Sequence, residues 1–271
     1  MNLVRAELFK IRTTSLWWIM AIVLVPLYAA SLLVNWLSVS AASSGGAGAD
    51  QSAQVEASLR PINVATTLYT SGQYFGVLIV LLLSAIVVTS EFFHLTATTT
   101  FLVTPRRAMV VLAKFGASIV VALLVWLLTT VLNLIFAPLI LSHLGLGAQL
   151  GEAGVWRAIG LNALAFVLWA VLGVGAGVLI RSQIAATLIL AITYTVGSTA
   201  AGVIFYLLSQ HVWHFFDKLQ VLIPTTASQL MISGTDLPGN PPRLVGALVL
   251  IGYALITGII GTQITRTRDI S

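Results

Sequence analysis

Catalysis needs nucleophiles, acid–base pairs or metal ligands gathered at one place. This 271-residue chain has four His, eight Asp or Glu and no Cys. Without Cys, disulfides, Cys-ligated zinc, iron–sulfur clusters and thiol nucleophiles are excluded. A phosphate-binding loop sets Gly before Lys, whereas Phe9, Ala113 and Asp217 precede Lys10, Lys114 and Lys218. The His-Glu pair of a zinc-protease helix is missing too, because Leu95, Leu144, Val212 and Phe215 follow the four histidines. His211 and His214, three residues apart, could share a metal, but no acidic or Cys cluster completes the set, and a solvated helix face is the better assignment. No catalytic, cofactor-binding or metal-binding residue is therefore assigned to this chain.

Two segments carry patterns suited to recognition. Residues 91–107 hold Glu91, His94, Thr96, Thr99, Thr100, Phe101, Leu102, Pro105, Arg106 and Arg107. Hydroxyls and a short apolar knob lie between charged ends, a mixture that can dock on a partner through a buried centre and a charged rim. The plainer alternative is an interfacial turn held in place by Arg106 and Arg107. Further on, Val212, Phe215, Phe216, Leu219, Leu222 and Ile223 recur at helical spacing, opposite His211, His214, Asp217, Lys218 and Gln220. That spacing predicts an amphipathic helix of about three turns ended by Pro224, with Thr225 or Thr226 capping a second short helix, so that the helical segment covers 211–232.

The elements that must position these segments are membrane spans. The chain is 58% hydrophobic and only 8% charged, and its charges leave the intervals 13–49, 61–90, 115–151, 158–180, 182–216 and 244–265 empty. Each can hold the roughly 20 apolar residues of a bilayer crossing. The expected fold is an all-α integral membrane protein, a single transmembrane domain with spans at about 15–37, 74–90, 110–141, 158–180, 184–208 and 244–264. Val4, Leu8 and Ile11 predict a short interfacial helix over 1–14. The tract at 38–54, rich in Ser, Gly and Ala, reads as a flexible outer loop.

An even number of spans places both termini on one side. Arg5, Lys10, Arg12, Arg106, Arg107, Lys114, Arg181, Arg266 and Arg268 then share a face, against Arg60, Arg157, Lys218 and Arg243 on the other, so the first face is cytoplasmic. The net charge of +5 is read as this topology signal, with no nucleic acid as a partner. All eight acidic residues fall in segments read as terminal or loop, which weakens the case for a carrier driven by intramembrane carboxylates. Gly173 with Gly177, Gly197 with Ala201 and Ser198 with Gly202 are helix-packing pairs. Trp126 and Trp169 are assigned to the core rather than to a substrate path.

Two short runs add a family resemblance. Glu7-Leu8-Phe9-Lys10-Ile11-Arg12-Thr13-Thr14 resembles the opening segment of the six-span permeases of type-2 ATP-binding-cassette (ABC) exporters, and Glu91, His94, Thr96, Thr100, Pro105, Arg106 and Arg107 resemble the run after their second span. Leu95 stands where the family usually has Gly, and Phe93 where it often has a basic residue. The resemblance implies a bacterial inner-membrane permease that pairs with a second permease subunit and docks through residues 91–107 on separate ABC ATPase subunits, which carry the ATP and Mg. It also implies an outer gate helix bearing Phe215, Phe216, Leu219 and Leu222. The rival expectations are a gradient-driven secondary transporter and a membrane assembly subunit that transports nothing.

Overall fold

The apolar runs close into helices because a backbone buried in hydrocarbon must satisfy its N–H and C=O groups within its own segment. A computed structural model of the protein describes residues 2–44, 53–94, 96, 107–235 and 240–267. Among them every regular element is helical: α1 (Asn2–Thr13), α2 (Leu16–Ser44), α3 (Ala53–Ser58), α4 (Pro61–Tyr69), α5 (Gln73–Phe93), α6 (Arg107–His143), α7 (Ala153–Ile180), α8 (Gln183–Ile192), a π-helical turn (Thr193–Gly197), α9 (Ser198–His211), α10 (Phe215–Leu219), a 3-10 turn (Gln220–Leu222), α11 (Pro224–Ile232) and α12 (Arg243–Thr267). Six stretches are long and apolar enough to cross a membrane, so the all-α, six-span architecture holds.

Helices α5 and α7 form the centre. Leu81, Val77, Val80, Phe166, Trp169 and Ala170 pack between them, and Met231 of α11 and Leu250 of α12 close the same core. A Cβ on Gly173 would fall 2.4 Å from the Leu81 carbonyl oxygen, and one on Gly177 would fall 2.8 Å from that of Ala85. The two glycines thus let α7 approach the backbone of α5. Gly202 has no heavy atom within 4 Å of its would-be Cβ, so the spacing that packs α7 faces away from the chain in α9.

Several boundaries differ from expectation. The second span begins at Pro61 rather than near 74, because α4 continues α5 past a break at Thr70–Gly72. Gly72 has φ +81, and Tyr28 of α2 packs where its Cβ would be. Asn133 of α6 spans the break, donating to the carbonyls of Tyr69 at 2.9 Å and Ser71 at 3.0 Å, while Tyr28 donates to Asn133 Oδ1 at 2.9 Å. Two carbonyls freed by the break are thereby satisfied in a buried setting. Helix α2 also runs on to Ser44, so the start of the tract expected to be flexible is helical, and residues 45–52 lie outside those described.

The fifth span is attached through few side chains. Ala186, Tyr194 and Ser209 are its buried residues between Gln183 and His211. Tyr194, carried by the π-turn, donates to the Tyr74 carbonyl at 2.6 Å and meets the ring of Trp169 edge-on at 5.0 Å. Irregular turns of this kind re-aim one residue without breaking a helix. Trp169 is buried in the core, and Trp126 is half-buried, donating from Nε1 to the Ile159 carbonyl at 3.2 Å.

The outer segment is the largest departure. The predicted three-turn helix over 211–223 is divided: α9 ends at His211, and only α10 and the 3-10 turn follow. Phe215 and Leu222 are exposed and Phe216 and Leu219 half-buried, whereas Val221 and Ile223 point into the protein. Ile223 is buried as the apolar spacing predicts, but Val221 takes the inward place expected of Leu222, because the 3-10 turn advances three residues per turn rather than 3.6. Pro224 opens α11 as its first residue instead of ending a helix, and neither Thr225 nor Thr226 caps it. Proline suits that position, since its missing N–H would have no helical partner there.

Candidate functional site: a closed ring of charge

Helix α1 meets the protein through Val4, Glu7 and Ile11, three and four residues apart on one face. Val4 packs over Gly116 of α6, where a Cβ would sit 3.1 Å from the valine Cγ2. Glu7, which interrupts the apolar stripe in the sequence, is buried at 5% exposure, whereas Phe9 is 66% exposed. A carboxylate so buried requires compensation, and the neighbouring helices supply it.

Four charges close a ring. Lys10 Nζ lies 2.8 Å from Glu7 Oε1 and 2.7 Å from Glu91 Oε1; Lys114 Nζ lies 3.0 Å from Glu7 Oε2 and 2.9 Å from Glu91 Oε1. Each carboxylate contacts two ammonium groups and each ammonium two carboxylates. Lys114 is 3% exposed, and its third donor reaches the Val87 carbonyl at 3.2 Å. The ring joins α1, α5 and α6, bridging segments more than 80 positions apart in sequence.

Burial, the largest single influence on Lys10, acts to lower its pKa. The hydrogen bonds and charges of Glu7 and Glu91 together outweigh it, so the net shift is upward from 10.5.

Glu91 therefore acts differently from its expected role. It is not a rim charge of a loop but a buried residue in the last turn of α5, 6% exposed and turned into the bundle. Glu91, expected in a loop, is thus helical, whereas Glu7 lies in the terminal helix expected for it. His94 follows as an exposed helix cap whose N–H donates to the Ser90 carbonyl at 2.9 Å. The N–H of Thr96 returns to the Glu91 carbonyl at 2.9 Å. Arg107 opens α6, and Thr99, Thr100, Phe101, Leu102, Pro105 and Arg106 lie outside the described residues. Lys114 and the pairing partner Glu7 were not among the expected site residues. A lone lysine one to two turns inside an apolar helix was the signal for the first.

Near the ring, the Arg181 guanidinium lies over the Phe92 ring, 5.6 Å from its centroid, tying the turn between α7 and α8 to the end of α5. Arg181 caps α7 with a φ of +56, a left-handed conformation unusual for a side chain with a Cβ. At the opposite end of the bundle, Arg157 and Arg243 both donate to the Gly234 carbonyl, at 2.7 and 2.9 Å, and fasten the segment between α11 and α12. No group of three or more His, Cys or acidic residues able to hold a metal occurs among the described residues.

A ring of this kind can hold three helices in a fixed relation. Breaking one partner of such a buried set leaves an uncompensated charge, which is far more costly than losing a surface pair. No protein-family model matches the chain, and no curated protein matches it either.

Proposed function

We propose that the chain is the membrane-spanning permease subunit of an ATP-driven exporter of the ABC type. In this reading it sits in a bacterial inner membrane with both termini cytoplasmic and works beside a second permease. ATP and Mg are bound and consumed on separate ATPase subunits, and the chain supplies a path and a lever. One observation carries the reading: the two segments that resemble type-2 permeases meet in space at the 2.7 Å pair of Lys10 with Glu91. Segments remote in sequence and joined by a buried ion ring behave as one mechanical unit. A partner that moves residues 92–106 would then move α1, α5 and α6 together.

Two further features support it. The fifth span carries Ile189, Val196 and Val203 exposed, together with Gly202, whose would-be Cβ meets nothing among the described residues, as a surface for a second permease or lipid would. For a gradient-driven carrier, the carboxylates that would bind H⁺ or Na⁺ are already neutralised by two lysines each.

The test is purification of the tagged chain from its native membrane in mild detergent. A stoichiometric ATPase bearing a Gly-rich phosphate loop is expected to copurify and to be lost when residues 97–106 are replaced by a Gly/Ser linker. Recovery of the chain without such a subunit, together with ion-driven uptake by the chain alone in liposomes, would reject the exporter in favour of a carrier.

A further inference from the structure

Beside the charge ring, on its membrane side, lies a cavity of about 470 Å³ between the α1–α2 junction, α5, α6 and the start of α8. Its wall is mainly apolar, with Leu83, Ile86 and Val121 contributing; Glu7, Lys10 and Glu91 of the ring, with His94, line its charged end, and Ser84, Ser118 and Gln183 are among the polar residues along the rest. Ser84 and Ser118 are each 1% exposed, yet Ser84 Oγ, Ser118 Oγ and Gln183 Oε1 have no hydrogen-bond partner among the described residues.

That absence is unusual for hydroxyls in apolar helices, which ordinarily donate to the carbonyl one turn back. Thr89 does so to Ala85 at 3.0 Å, Thr187 to Gln183 at 2.9 Å and Thr257 to Tyr253 at 2.8 Å. Ser84 and Ser118 do not, and both line the same space. By helical rise they lie roughly 10 Å and 6 Å deeper than Glu91 and Lys114 along their helices. Leaving such groups bare costs stability, whereas a ligand that pairs with them recovers it.

We propose that this cavity binds an uncharged amphiphile bearing a hydroxyl or primary amide. The apolar wall takes its hydrocarbon part. The serine hydroxyls can donate or accept, but Gln183 Oε1 only accepts, so the ligand must carry at least one O–H or N–H donor. It is uncharged because the two lysines and two glutamates at the cavity's charged end already pair with one another, and the buried wall around Ser84 and Ser118 offers no counter-charge for an acid or an amine. A volume of this size, mostly apolar with a few convergent polar groups, is typical of small-molecule sites. The proposal concerns a single chain and does not depend on the exporter reading.

The test uses the full chain in phosphatidylcholine nanodiscs and a diazirine-bearing analogue of 1-octanoylglycerol, with the photolabelled peptides mapped by mass spectrometry. Labelling is expected within 83–87 and 118–121, saturable and competed by 1-octanoylglycerol but not by octanoate or octylammonium. The double variant Ser84→Ala/Ser118→Ala should weaken labelling about tenfold, as losing one or two hydrogen bonds implies, while its melting temperature without probe stays equal or rises. Val121→Phe, which fills the space, should weaken labelling as well. Competition by dioleoylglycerol in the disc identifies the leaflet as the source, and competition by water-soluble 1,2-octanediol alone identifies the cytosol; either result upholds the site. Labelling that does not saturate, persists in the double variant or yields equally to the charged competitors overturns the proposal, leaving a cavity that holds only water.

Discussion

Lys10 and Lys114 make the same two ion pairs but differ in what surrounds them. The Lys114 side chain is 4% exposed, whereas that of Lys10 is 48% exposed. Replacing Lys114 with Met leaves Glu7 and Glu91 sharing one half-exposed ammonium, a loss expected to cost about 3–5 kcal/mol. Lys10→Met also leaves the two carboxylates sharing one ammonium, but the lysine removed is half-exposed and water screens part of what is lost, so the cost should be smaller than for Lys114→Met. Thermal unfolding of the two variants in detergent checks this, and equal losses would contradict the ring. The ring also sets a pH dependence. Because folding raises the Lys10 pKa above 10.5, its contribution is fully present below pH 10.5 and is lost as pH climbs through the raised value. Between pH 9 and pH 11 the wild type should lose more melting temperature than Lys10→Met does. In the sequence, Glu7 opens the run that resembles type-2 permeases and interrupts the apolar stripe of α1, but neither feature shows what it pairs with. Its meaning depended on Lys114, which no local pattern connects to it.

At the scale of elements, glycine spacing was legible but its orientation was not. Gly173 with Gly177 and Ser198 with Gly202 show the same small-residue period, yet the first pair packs on α5 and Gly202 touches nothing. Gly173→Ala should destabilise by about 1–3 kcal/mol, since its Cβ would meet the Leu81 carbonyl oxygen and the Ser84 Cβ. Gly202→Ala should be neutral or stabilising by up to about 1 kcal/mol, because alanine is the better helix former. Similar losses at the two positions, in the same unfolding measurement, would mean that α9 is covered in the purified state. Span existence followed from apolar length alone and held at all six places. Span ends did not, because what breaks α4 from α5 is a tertiary set in which Tyr28 of α2 and Asn133 of α6 meet Gly72 in the break itself. The segment after His211 differs for a related reason: the local period predicts one helix, whereas the chain is divided there and turns Val221 inward in place of Leu222.

For the whole molecule, the six spans and the nine-to-four division of Lys and Arg predict the orientation. The chain has no native Cys, which makes single-site labelling clean. An impermeant maleimide applied to intact cells should modify Ser142→Cys, exposed where α6 leaves the bundle, and spare Thr14→Cys, exposed beside the charge ring. The opposite result would invert the protein and move the charge ring to the outer face. The central claim is that a partner's ATP cycle acts on the segment leaving Glu91, and Thr96 reports on it most directly because it is exposed while hydrogen-bonded to the end of α5. Maleimide reaction of Thr96→Cys, followed in native membrane vesicles with and without ATP, measures that coupling. The account predicts that ATP changes the reaction rate several-fold in the native membrane and not at all for the purified chain. An identical rate with and without ATP in the native membrane would contradict it.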